Sequence, residues 1–513
     1  MDTASNPVSD NLFTAFRAAE REPDALFIET ADGRRVTYAD LLAGSARYAH
    51  VLQDVGVGQG DRVAVQVEKS PEAILLYLAC LRAGAVYLPL NTAYTLAELE
   101  YFLADAEPRL TVCDPAAEPA LAALVARLGL GGVLTLGVHG ETGSLPALAQ
   151  SRAPTFDDAA RISDDLAAIL YTSGTTGRSK GAMLTHGNLS SNALALKDAW
   201  RFTADDVLLH ALPIFHIHGL FVATNVMLMA GGAMIFLPRL DSDLVFRFLP
   251  RSTAMMGVPT FYTRLLNDPR LGRETTGHMR LFVSGSAPLL AETHAEWLSR
   301  TGHAILERYG MTETNMNTSN PYEGRRAPGS VGLPLPGVEI RIADPDAGAP
   351  LPAGEIGMIE VRGPNVFAGY WRMPEKTAAE FRPDGFFITG DLGRIDASGY
   401  LWILGRGKDL VISGGYNVYP KEVEDEIDAI QGVEESAVIG VPHPDFGEGV
   451  TAIVTLKPGA KLTEPAILAA LSNRLARYKQ PKRVIFVDAL PRNTMGKVQK
   501  NVLREWYQSV YLG

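Results

Sequence analysis

Apolar residues recur every three to four positions across 38–55, and Gly56 and Gly58 then interrupt the run. That period predicts a helix with one buried face. Residues 62–67 form a short, mostly apolar run that predicts a strand. A second apolar helix follows over 71–83 and stops at Gly84, the residue type favoured just past a helix end. Another strand is predicted over 85–90. Strand, helix and strand in this rhythm imply a mostly parallel sheet covered by helices. The rhythm resumes with a buried strand over 165–170, a helix over 185–200 and strands over 207–210, 253–258, 280–284 and 304–306, several of which lead into polar loops. Between 331 and 404 short strands such as 337–342 and 358–361 alternate with Gly and Pro turns, which predicts a smaller β-rich subdomain. The last hundred residues pattern as helix (420–430), strands (437–441 and 451–456), helix (464–477) and strand (483–487), enough for a small α+β domain. The expected class is α/β: a large N-terminal domain over 1–405, a hinge over 406–409 and a small mobile α+β domain over 410–513.

Composition narrows the function classes. A chain of 513 residues with 47% hydrophobic and 20% charged residues suits a globular enzyme with more than one core. A net charge of −11 argues against a general binder of nucleic acid or anionic membrane, so anionic substrates would have to be met by locally placed Lys and Arg. Cys80 and Cys113 are too few for a disulfide framework or a Cys-rich metal site. The N-terminus lacks a basic segment followed by an apolar one, and the longest apolar run, 226–237, is too short to span a bilayer. A cytoplasmic location is expected, with monomer and homodimer both open.

The densest chemical signal lies at Tyr171-Thr172-Ser173-Gly174-Thr175-Thr176-Gly177-Arg178-Ser179-Lys180-Gly181. Glycines let a loop wrap a ligand with its N–H groups inward, hydroxyls add donors and Lys180 adds charge, so the stretch predicts an anion cradle. A strand, a glycine loop and a helix in that order form a phosphate-binding arrangement. The spacing is not that of a Walker A loop, because Gly174 and Gly177 are three apart and Gly181 follows the lysine. A second cluster, Glu307-Arg308-Tyr309-Gly310-Met311-Thr312-Glu313-Thr314, offers an aromatic to stack a base, a hydroxyl for a phosphate and a carboxylate for Mg²⁺, which on a nucleotide takes only one or two protein carboxylates. Asp391 lies in a turn-like Thr-Gly-Asp, where one carboxylate can accept from two ribose hydroxyls. His216-Ile217-His218-Gly219 is a weak metal signal without a third ligand nearby.

These motifs together resemble those of the AMP-forming acyl-CoA synthetase superfamily, over nearly the whole chain. The resemblance implies ATP, Mg²⁺ and CoA as the small molecules used. It places the phosphates of ATP on Thr172, Ser173, Gly174, Thr175, Thr176, Gly177 and Lys180, with Thr175 and Glu313 at the metal. It puts Tyr309 against adenine, with Ser286, Ala287 and Pro288 on its other face and Glu307, Arg308, Gly310 and Met311 alongside. It sets Thr312 on the α-phosphate and Asp391 with Arg406 on the ribose. Lys408 matches the superfamily's hinge residue, and Lys497, in Asn493-Thr494-Met495-Gly496-Lys497, matches its C-terminal catalytic lysine. Ser413, Gly414 and Gly415 are implied to line a pantetheine tunnel after a domain swing, and Lys479 and Arg477 are weaker candidates for CoA phosphates. His216 matches a gate beside the acyl pocket.

Within the superfamily, the stretches 88–95, 257–264 and 310–321 resemble the malonyl-CoA synthetases. Malonate carries a second carboxylate, which needs a fixed cation, and Arg presents a matching fork. Arg264, one helical turn beyond Gly257-Val258-Pro259, is the candidate clamp, with Arg280 as alternative; His216, Ile217, Ser286 and Met316 complete the expected acid site. Ile217 departs from the Thr of those enzymes, which opens the choice between malonate, methylmalonate and bulkier relatives. A ligase for another short acid, an adenylation protein charging a carrier protein and a non-catalytic nucleotide sensor are the competing readings.

Overall fold

A computed structural model of the chain describes residues 9–19, 21–172, 179–414, 416–472, 474–493 and 496–511. Its large part is built on two wide sheets that share one continuous core. In the first, Val207–His210, Ala254–Gly257, Leu281–Ser284 and Leu306–Met311 pair mostly in parallel as neighbours, so their carboxyl ends meet along one edge. The predicted βαβ rhythm appears in the second, where Arg62–Gln66 pairs in parallel with Val86–Pro89 and with Leu110–Cys113. The helix between the first two, Pro71–Ala83, is wholly buried; Ser70 caps its start and Gly84 ends it at φ 71°. Only a residue without a side chain adopts that φ freely.

Two sequence expectations change here. The glycine-hydroxyl stretch does not lead straight into a helix: Lys180–Thr185 is a strand, antiparallel to Leu166–Thr172, and the helix His186–Ala199 begins only after it. A strand therefore stands between the glycine-hydroxyl stretch and the helix, where a direct loop-to-helix step was expected. Thr185 instead caps that helix in a box with Asn188. The Tyr-Gly-Met stretch is likewise not a loop after a strand. It is the strand Leu306–Met311 itself, turning into the antiparallel Asn315–Ser319. Alternation along that strand sends Glu307 and Arg308 to opposite faces.

The β-rich subdomain is a four-stranded antiparallel sheet, Glu339–Ala343, Gly357–Arg362, Phe387–Ile395 and Leu401–Arg406. Beyond it, residues from Val411 to Val484 close their own core around the long hairpin Val433–His443 and Gly447–Leu456. Both strands run further than the apolar pattern suggested, because their ends pair through backbone groups. The following helix stops early, at Leu471. Among the described residues no helix is long and apolar enough to cross a membrane.

Burial pushes the Asp428 carboxyl up to about 7, and one of its oxygens is sealed without a hydrogen-bond partner. The folded state thus holds a proton that an unfolded Asp loses near pH ~3.9. Its stabilising share is complete below that pH and is lost as pH rises through about 7. Asp428→Asn should therefore raise the melting temperature by about 3 °C or more at pH 8 and by less at pH 5. An equal gain at both values in a thermal melt would contradict the assignment.

Candidate active site

The loops at the shared carboxyl edge bring the sequence candidates together. Arg308 lies at the centre, only 4% exposed, with Nε and Nη2 sealed from solvent and lacking any hydrogen-bond partner among the described residues. Burial pulls its pKa down to about 9. The guanidinium lies so close to Gly285 that a Cβ there would sit 2.4 Å from it, so only glycine allows the approach. Ser286 follows at φ 70°, a backbone region costly for a residue with a side chain, and its Oγ is 3.2 Å from Nδ1 of His218. His218 is buried, and its Nε2 also lacks a partner. Nδ1 of His216 accepts the His218 backbone N–H at 3.3 Å. Burial first, then the cations of Lys497 and Arg308, push the His216 pKa down to about 3, so the ring is neutral at physiological pH. Ile217, between the two histidines, is buried in the main core. Met316 is buried as well, its backbone clamped by the Asn192 amide at 2.8 and 3.2 Å.

A second group sits beside the first. The Tyr309 hydroxyl donates to Asp391, whose other oxygen is 2.8 Å from Nε of Arg406. Glu313 is buried, and burial raises its pKa. Its Oε1 lies 3.0 Å from the Tyr370 hydroxyl, and the same hydroxyl lies 2.7 Å from Glu380. Glu380 in turn is 3.4 Å from Nζ of Lys180. Thr172 is the register partner of Lys180 across the hairpin. Thr312 and Met311 are half-buried at the turn, and Ala287 and Pro288 follow Ser286 at the rim. Lys497 reaches this cleft: the residue as a whole is exposed, while its ammonium is desolvated among the charged groups of the site. Burial lowers its pKa most, Arg406 and Arg308 lower it further, and the carboxylates of Asp391 and Glu313 raise it, which locates the ammonium among these four groups. Its loop rests on the helix Pro259–Leu266, where a Cβ on Gly496 would meet Thr260 at 3.4 Å. An ion pair between Lys457 and Glu292 at 2.5 Å ties the C-terminal part down elsewhere.

Several candidates lie outside the cluster. Arg264 is exposed: Tyr262, Leu265 and Leu266 define the inner face of its helix, and position 264 falls on the other side. Arg280 is held by Asp206 and the Trp200 carbonyl at the far end of its strand. Glu307 faces away from Arg308; burial pushes its pKa up to about 8, and it accepts from the Gly329 N–H at 2.9 Å. Lys408 is exposed between Arg406 and Asp409. Lys479 pairs with Glu422 at 2.5 Å. Ser413 and Gly414 belong to a hairpin packed on Gly447 and Phe446. Ser173, Gly174, Thr175, Thr176, Gly177 and Gly415 lie outside the described residues. Sequence reasoning missed Tyr370 and Glu380, whose hydroxyl and carboxylate join Glu313 and Lys180 across 57 and 200 residues of chain, in that order.

Comparison with known proteins fits this arrangement. The AMP-binding enzyme model matches residues 15–371, and the model of the AMP-binding enzyme C-terminal domain matches residues 422–497. The chain belongs to the AMP-binding enzyme family. A feruloyl-CoA synthase of Amycolatopsis sp is 38% identical, over 95% of this chain and 97% of that protein. A malonate–CoA ligase of Arabidopsis thaliana is 34% identical, over 96% and 88%. The crystal structure of ATP-bound MatB from Rhodopseudomonas palustris superposes with a TM-score of 0.96 at 64% identity, covering 98% of this chain and all of that one.

Proposed function

We propose that this enzyme joins malonate to CoA through a malonyl-adenylate, releasing pyrophosphate and then AMP. The observation that carries the acid assignment is the buried, unpartnered guanidinium of Arg308. A buried cation without a counter-charge is expensive, and a bound anion relieves that cost. With Ser286 and His218 beside it, the pocket end is polar and cationic, which suits a second carboxylate and not the aromatic ring of ferulate. The likeness to a malonate–CoA ligase supports the same choice. Arg308 thus takes the role that the sequence reading gave to Arg264.

In the first half-reaction the other carboxylate of malonate attacks the α-phosphorus of ATP. A carboxylate oxygen–phosphorus bond forms, the bond to the bridging oxygen breaks and pyrophosphate leaves. Tyr309 stacks adenine, Asp391 with Arg406 holds the ribose, Thr312 meets the α-phosphate, and Lys180 with the glycine-hydroxyl stretch 172–177 holds the outer phosphates. Lys497 offsets charge between the acid and the phosphate. The neutral His216 flanks the acid pocket as its gate. Glu313 suits a nucleotide-borne Mg²⁺: it is a single buried carboxylate, and the described residues contain no cluster of three metal-ligating side chains. When bound, the ion would neutralise phosphate charge. In the second half-reaction the C-terminal domain, 410–513, swings about Lys408 against 1–405 and presents Ser413, Gly414 and Gly415. The CoA sulfur then attacks the acyl carbon, and AMP leaves.

Ile217 bears on the C2 substituent, because an apolar side chain between the two histidines favours a methyl group there. In pyrophosphate exchange with matched acids, malonate and methylmalonate should both exceed succinate and acetate by at least about tenfold. A preference for acetate, or for ferulate in the same panel, would overturn the assignment.

A further inference from the structure

The hydroxyl of Tyr370 has one proton and two carboxylates within reach, Glu380 at 2.7 Å and Glu313 at 3.0 Å. It can donate to only one of them at a time, and the shorter contact is to Glu380. That leaves the lone pairs of Glu313 open. Glu380 also draws in Lys180 at 3.4 Å and is anchored by Lys376 at 2.6 Å. The Lys180 ammonium sits 4.3 Å above the Tyr370 ring, a cation–π distance.

The segment that carries these groups is stapled to the strand that carries the lysine. Gly369–Tyr370 pairs with Met183 and Ala182, and the Trp371 N–H donates to the Gly181 carbonyl at 2.7 Å. Thr377 closes the next turn by accepting the Tyr370 N–H at 2.9 Å. Its side chain fills the space that a Cβ on Gly369 would need, and Gly369 has φ 130°. The platform is thus held from both sides, beside the start of the strand that opens with Lys180. A lysine on a flexible four-carbon stem gains a defined direction only from such neighbours.

We infer that Tyr370 and Glu380 are positioning residues for the nucleotide: they hold Lys180 aimed at the outer phosphates of ATP and keep the lone pairs of Glu313 turned to the cleft. This rests on the reading of Lys180 and Glu313 given above. Glu380 acts through the lysine, so its effect belongs to ATP binding and not to the acid or to CoA.

The test is calorimetric titration of ATP into the full chain without acid. Glu380→Gln keeps the side-chain shape and removes the charge. It should weaken ATP binding about tenfold, a loss of about 1.4 kcal/mol. The KM for malonate and the reaction of supplied malonyl-adenylate with CoA should stay within twofold of the parent. In a Lys180→Met background the same substitution should change ATP binding by less than twofold. Unchanged or tighter ATP binding in Glu380→Gln overturns the inference, as does an undiminished effect without the lysine. Should Glu380→Gln lower the melting temperature, Tyr370→Phe retains the ring and should still weaken ATP binding about threefold; parent-like binding there overturns the inference equally. Absence of malonate-dependent pyrophosphate exchange in the parent enzyme would instead sink the proposed function and leave the ATP titration standing.

Discussion

Replacing Lys497 with alanine should lower malonate-dependent exchange of pyrophosphate into ATP by at least about 10²–10³-fold. Supplied malonyl-adenylate should still react with CoA at close to the parent rate. The reason is placement. The side chain reaches the cleft among Arg406, Asp391, Glu313 and Arg308, where an acid and the α-phosphate would meet. Two anionic reactants repel, and a cation between them is worth most where that charge concentrates. The thiol step involves a neutral or singly charged sulfur and an activated acyl group, and in the proposed scheme it comes after this loop has swung away. Equal loss of both half-reactions would show that the lysine supports the fold and not the first step.

The second large effect belongs to Arg308. Arg308→Leu should lower kcat/KM for malonate by about 10³-fold, in line with the loss of one partner of a buried charge pair. ATP binding should hold, and the weak activity with acetate should change by no more than a few-fold. Arg308→Lys should recover only part of the loss, because an ammonium is a point charge where a fork is needed. Arg264→Ala serves as the control and should stay near the parent, given its exposed place on the outer side of its helix. Loss of malonate and acetate activity in parallel, or a larger loss from Arg264→Ala, would move the clamp elsewhere.

Much of this site was legible in the chain, for reasons that differ from residue to residue. Tyr309, Glu313 and Asp391 lie in motifs whose chemistry can be read locally. Lys497 could be proposed from its motif alone, although what surrounds it comes from strands hundreds of residues away. The clamp proposed here could not be read. Arg264 and Arg308 are both near motifs, and the choice depends on which face of a helix or strand points inward. Arg308 is buried because its strand has neighbours on both sides, a fact set by sheet order. The same holds for Tyr370, which meets Glu313 because the short strand Gly369–Tyr370 pairs with Met183 and Ala182, and for Glu380, which joins through the Tyr370 hydroxyl. The strand Lys180–Thr185 escaped notice because Gly181 and the flanking hydroxyl residues read as loop. Pairing with its neighbour, not side-chain pattern, makes it a strand.

The orphaned guanidinium also sets the direction in which the pocket can discriminate. A steric sieve excludes what is too large and always admits what is smaller. An acid with one carboxylate would leave the Arg308 guanidinium without a counter-ion, whatever its size. With Arg308 as the proposed clamp, rejection by unmet charge would work downwards in size and would keep one-carboxylate acids off CoA without a separate editing step.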